Sequence, residues 1–171
     1  MRIISFFFFL SQCIFLSSIA TVIHAETIQY GPHNTITIEA LQKEIDFKLL
    51  VPTKIPKDWV LEIKAGPRTN EKQEYFSLNF LDKNDQYLMM SLNQKKALFK
   101  ELDSSQKRHD NTELVQINNC EGHFEAWVGT RNGVKDISGG YLRWIQKGTY
   151  VEMVSSRLSK EEMIKIAKSL K

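Results

Sequence analysis

Between residues 59 and 94 apolar and polar side chains alternate. WVLEIKA (59–65) offers Trp59, Leu61 and Ile63 to one side. EYFSLNFLD (74–82) puts Phe76, Leu78 and Phe80 on one face and Ser77 and Asn79 on the other. After the turn residues Lys83-Asn84-Asp85, QYLMMSLNQ repeats the pattern with Leu88, Met90 and Leu92. Period two bounded by turn chemistry predicts half-buried antiparallel strands, here a meander. ELVQIN and GHFEAWVG continue it, and Asn132-Gly133 is a strong turn signal. GGYLRWIQ and TYVEMVSS then flank Lys147-Gly148 as a last hairpin.

Two segments change period. TIEALQKEI (37–45) lines up Ile38, Leu41 and Ile45 on a helical face, with Thr37 as N-cap. In LSKEEMIKIAKSLK, Ser159 and Glu162 make a capping box, with Leu158 and Met163 at the positions of a hydrophobic staple. Met163, Ile166, Ala167 and Leu170 share one face, which predicts a closing helix laid on the sheet. FKLLV is a short apolar run stopped by Pro52, and with Pro56 the stretch PTKIPKDW reads as a fixed corner between two extended segments. Residues 94–112 are polar and poorly periodic, with a short helix expected over Ala97–Leu102 and loop beyond it. The fold class expected is α+β: an antiparallel sheet of about 6–8 strands with a short N-terminal helix and a C-terminal helix packed on it.

The first 25 residues differ from the rest. Arg2 is followed by an apolar run that ends at His24-Ala25, in the order of a secretory signal peptide cut after Ala25. Ser5, Ser11, Gln12, Ser17, Ser18 and Thr21 interrupt the run, which falls short of the roughly 20 predominantly apolar residues of a spanning helix. An uncleaved anchor and a lipoprotein modified at Cys13 are the alternatives; the bulk of Gln12 directly before the cysteine disfavours the second. The organisation expected is a signal peptide over 1–25, a lead-in with a short helix over 26–46, and one α+β domain over 47–171. Nothing after residue 25 reads as a membrane span.

Charge and cysteine count narrow the partners. Without Arg2, 22 basic residues stand against 20 acidic ones and are dispersed, which argues against nucleic acid. Cys120 is then the single thiol, so an exported domain must hold together by its core alone. The chain carries no Asn-x-Ser/Thr acceptor, which suits a bacterial envelope or secreted protein.

NNCEGHFEAW (118–127) is the stretch richest in reactive side chains. Pleating sends Phe124, Ala126 and Val128 toward the core and His123, Glu125 and Trp127 the other way. A zinc site needs three or four ligands, and the other histidines of the exported part, His33 and His109, lack ligand spacing. A reactive thiol at Cys120 needs a base or a positive field, whereas its neighbours Glu121 and Glu125 bring negative charge. The chain holds no Gly-x-Ser-x-Gly elbow, no phosphate-binding glycine loop and no His-Glu-x-x-His. No catalytic, metal or cofactor-binding residues are therefore assigned. The surface nominated for binding is His123, Glu125 and Trp127, joined by Tyr141, Arg143 and Ile145 if the register sets them alongside; otherwise this is an ordinary solvated sheet face.

LLVPTKIPKDWVLE, INNCEGHFEAW and YLRWIQKGTYVEMVSSRLSKEEMIKIAKSLK together resemble a domain-of-unknown-function family of Gram-positive, often spore-forming, bacteria. The shared pattern is a Pro-x-x-Ile-Pro corner, a Leu-x-Trp hairpin and a Leu-Ser-Lys-Glu-Glu closing helix over about residues 47–171. Leu142, Trp144, Gly148, Tyr150, Ser159, Glu161, Glu162 and Ile166 are on pattern. Members are exported proteins, lipoproteins or outer domains of membrane proteins, some similar to anti-sigma regulators. The resemblance implies an extracytoplasmic domain without known catalysis and transfers no functional residues. The expected function is a non-enzymatic binding or regulatory module of the envelope, its partner an unidentified protein or envelope ligand. A hydrolase of wall or carbohydrate material with His123 and Glu125 as acid/base pair, and a structural spore or wall protein, are the rivals.

Overall fold

A computed structural model describes residues 29–31, 36–66, 68–69, 72–98, 112–127, 129–131, 134–136 and 139–171. In chain order the elements are β1 (Gln29–Tyr30), α1 (Ile38–Glu44), β2 (Val60–Ala65), β3 (Arg68–Thr69), β4 (Lys72–Gln73), β5 (Tyr75–Leu81) and β6 (Leu88–Lys96). Then come β7 (Thr112–Ile117), β8 (Cys120–Ala126), β9 (Gly129–Arg131), β10 (Val134–Asp136), β11 (Gly140–Gln146), β12 (Thr149–Ser155) and α2 (Lys160–Ala167). Eight strands form one sheet in the order β1-β2-β5-β6-β12-β11-β8-β7. All its pairings are antiparallel except β1 with β2, and β3–β4 and β9–β10 are separate small hairpins. The expected α+β class with a helix toward each end is the observed one.

The alternation seen along the chain becomes two kinds of rung across the sheet. Ile63, Leu78, Leu92, Met153, Leu142 and Phe124 stand opposite one another in consecutive strands, and all are buried. One residue along, the rung reads Lys64, Ser77, Asn93, Glu152, Arg143, His123 and Leu114. Helices cover the apolar side: Leu41 of α1 and Met163, Ile166 and Ala167 of α2 join the same core cluster. α1 starts at the Thr37 cap, whose side chain accepts from the Ala40 N–H. α2 starts at Ser159 with a complete capping box. Two-residue turns set the hairpin registers: Lys147 and Gly148 have φ of 52° and 77°, the left-handed pair that suits the strand twist.

Three local outcomes differ from the simple pattern. FKLLV forms no ladder. Its backbone is bonded instead by side-chain amides: Gln42 Oε1 accepts from the Leu49 N–H (3.0 Å), and Gln94 both accepts from the Leu50 N–H (2.9 Å) and donates to the Leu50 carbonyl (2.7 Å). The chain end completes the clamp, with Val51 and Lys171 exchanging both backbone hydrogen bonds. Leu88, expected beside Met90, is exposed, because the register shifts between Phe80 and Leu81 so that Met90 faces Phe80 while Leu88 faces Leu81. Ala97 and Leu98 are not helical, and the rest of that expected helix lies outside the described residues, as do residues 1–28, His33, His109, Val128 and Asn132-Gly133. No described helix is long and apolar enough to cross a membrane.

Candidate functional site

β8 and β11 are neighbours, and their register sets His123 opposite Arg143 and Glu125 opposite Tyr141. The five nominated residues thus share the face that the helices leave. Trp127 lies just past β8, where its N–H donates to the Gly139 carbonyl at 3.2 Å. Gly139 has φ 86°, and a Cβ there would stand 2.1 Å from the Ser155 carbonyl oxygen. Only glycine fits the backbone that positions Trp127.

The side chains form one contact cluster. Trp127 meets Tyr141 edge-on, with ring centroids 5.3 Å apart and planes at 74°. The Arg143 guanidinium lies over the Tyr141 ring, 4.9 Å from its centroid. Arg143 Nε donates to Glu152 Oε2 at 2.9 Å, and Nη1 donates to Glu125 Oε2 at 3.2 Å. From Glu152 the network runs on through Asn93 Nδ2, which donates to Glu152 Oε1 at 3.4 Å, to Ser77, whose hydroxyl donates to Asn93 Oδ1. A second hydroxyl, that of Ser91, donates to Asn79 Oδ1 at 2.8 Å. One hydrogen-bonded chain therefore crosses β5, β6, β12, β11 and β8. Ser77 and Asn79 are buried within it, so this face is less wet than an ordinary solvated one.

The electrostatics are self-contained. Burial by itself would lower the Arg143 pKa, but the hydrogen bond and charge of Glu152, with Glu125 adding to them, raise it above the ordinary guanidinium value. Glu125 is bonded to Arg143, whereas His123 Nε2 lies 3.9 Å from Glu121 Oε1. The side chain of His123 is only 13% exposed, and its Nδ1 is buried without a hydrogen-bond partner. Cys120 is a free, partly buried thiol opposite Ile117 at the mouth of the β7–β8 turn. Among the described residues no group of three His, Cys, Asp or Glu could hold a metal ion.

Glu152, Asn93, Ser77 and Ser91 went unnominated. Glu152 could have been found: a two-residue turn at Lys147-Gly148 puts it opposite Arg143, on the same face by period two. Asn93 and Ser77 could not, since the pairing of β12 with β6 joins strands more than 50 residues apart and no short turn dictates it. Ile145, nominated conditionally, faces Tyr150 beyond the charged cluster.

A family model described as Domain of unknown function (DUF4367) matches residues 49–170. No curated protein matches the chain. Among solved structures it is similar to a crystal structure from Bacteroides thetaiotaomicron VPI-5482, with 16% identity and a TM-score of 0.39 over 68% of this chain. The chain spans 42% of that protein's length.

Proposed function

Because the chain belongs to the family described as Domain of unknown function (DUF4367), a name that commits it to no reaction, we propose that it is an exported, non-enzymatic binding or regulatory module of a bacterial cell envelope. Export rests on the first 25 residues, with their charged start, apolar run and small residue at Ala25. Binding rests on one observation: Trp127, Tyr141, Arg143, Glu125 and Glu152, from three adjacent strands and the residue beyond β8, are held in mutual contact on the face opposite the helices. Holding five side chains against one another costs conformational entropy and leaves a preset surface, which supports a binding role.

The hydrolase reading draws no support from the same geometry. Its acid/base pair would need Glu125 to serve His123, and Glu125 serves Arg143. Two measurements test the proposal. N-terminal sequencing of protein recovered outside the cytoplasm of expressing bacteria should begin at Glu26; retention inside the cell overturns the export half. A photo-crosslinking residue at position 127 should capture an envelope component that the same residue placed at the exposed Lys57 does not. Equal capture from both positions overturns the binding half.

A further inference from the structure

The side chains of the cluster restrict the chemistry of what it can bind. Arg143 is matched by two carboxylates, Glu125 and Glu152, so the cluster offers no surplus positive charge. A phosphate, an acidic peptide or an anionic polymer would have to displace one of them. The Tyr141 face that a ligand cation would seek already carries Arg143. Anionic ligands are thus disfavoured, a cation finds the aromatic face occupied, and the cluster's hydrogen-bonding groups remain.

Those groups are planar and preset. The Glu125 carboxylate, the Arg143 guanidinium, the Glu152 carboxylate and the Asn93 amide follow one another on β8, β11, β12 and β6. Each is fixed along one edge by its neighbour. A fixed planar group presents its remaining donors or acceptors in a known plane, and a chain of such bonds polarises each member. Adjacent strands are about 4.8 Å apart, so the four groups repeat over about 14 Å across the sheet. At one end stand the Trp127 and Tyr141 rings, an apolar wall beside a polar row. Paired hydroxyls on one edge and a flat C–H surface on the other are the attributes of a pyranose ring. The length of the row suits several rings in succession.

We infer that this face binds a neutral oligosaccharide, laid across the strands with a sugar ring against Trp127 and its hydroxyls on the Glu125–Arg143–Glu152–Asn93 row. The inference rests on the binding-module reading and gives that module its ligand class.

The experiment uses protein recovered from cells expressing the full chain, titrated calorimetrically with three tetrasaccharides. Two are neutral, β-1,4-linked glucose and β-1,4-linked N-acetylglucosamine, and one is anionic, α-1,4-linked galacturonate. At least one neutral tetramer is expected to bind with Kd of about 1 mM or tighter, more strongly than the galacturonate. Trp127→Ala and Arg143→Lys should each weaken it about tenfold or more, as loss of an aromatic anchor or of a bidentate fork does. Trp127→Phe, which keeps a ring and the packing, should lose less than Trp127→Ala and covers the case in which the alanine variant fails to fold. No neutral binding, preference for galacturonate, or binding indifferent to both positions overturns the inference. A protein partner captured at position 127 alongside absent sugar binding would sink this inference and leave the binding-module reading standing; capture indifferent to position would sink the reading itself.

Discussion

Gln94 stands where the alternation of β6 calls for a hydrophobic residue, next in line after Met90 and Leu92, and it is 1% exposed. Its amide replaces the missing strand partner of Leu50, bonding both the N–H and the carbonyl of that residue, which is itself wholly buried. Gln94→Leu fills the same space and leaves both backbone groups unpaired. Each orphaned group costs about 1–3 kcal/mol, and the added apolar burial returns about 1–2 kcal/mol. The centres of these ranges leave a net loss of about 2–3 kcal/mol, which at a urea slope of about 2 kcal/mol per molar lowers the unfolding midpoint by about 1–1.5 M. Equilibrium urea unfolding followed by far-ultraviolet circular dichroism measures it. The slope should stay constant, since the folded surface does not change. A midpoint within about 0.3 M of the parent would refute the argument, because it would mean that water or a shifted backbone satisfies Leu50 at no cost.

Four further outcomes are expected. Ser159→Ala removes the hydroxyl that accepts from the Glu162 N–H at 3.2 Å, and should destabilise the protein by about 1 kcal/mol, with faster amide exchange confined to the first turn of α2. Gly139→Ala forces a Cβ against the Ser155 carbonyl at positive φ, at a cost of about 1–3 kcal/mol, and the tryptophan indole resonance of Trp127 should shift with it. The carboxyl pKa of Asp82 lies below the usual carboxylate range because the Tyr87 N–H, and with it the Gln86 N–H, bonds the ionised form. A depressed folded value means that the stabilisation is present above the unfolded carboxyl pKa and is lost as pH falls through the folded one. Amide shifts of Gln86 and Tyr87 should therefore titrate below about pH 4 and cease to do so in Asp82→Asn. Arg143→Gln leaves Glu125 and Glu152 without their shared cation and should cost about 1–2 kcal/mol, partly recovered when Glu125→Gln is added; strict additivity in that double-mutant cycle would show that the network carries no coupling.

The legible parts of the fold were those dictated by neighbours in the chain. Period two located the meander, and Ser159 with Glu162 located α2, because both signals come from residues within one turn or one strand of each other. The segment from Phe47 to Val51 was not legible. Its apolar residues announce burial without saying what satisfies the backbone, and the answers, Gln94 and Lys171, are 44 and 120 residues away. Leu88 failed for a related reason: a register shift against β5 is a property of two strands, and β6 alone continues its alternation through it. The short pairing of β1 with β2 carries no periodic signal at all, being two residues long.

The same division runs through the candidate site. Pleating was enough to put His123, Glu125 and Trp127 in a row, but a row of polar residues on a strand has no chemistry until its cross-strand neighbours are known. Here those neighbours decide it. Had β11 been displaced by two residues, Arg143 would face Glu125 directly and leave His123 opposite Ile145. At the observed register one guanidinium stands between two carboxylates from different strands, with an aromatic ring beneath it. That placement pairs Glu125 with Arg143 rather than with His123, and in the same step fixes it in place by a hydrogen bond. The pairing that leaves the His123–Glu125 pair without support is therefore the one that supports the proposed binding role: paired side chains gain a defined geometry.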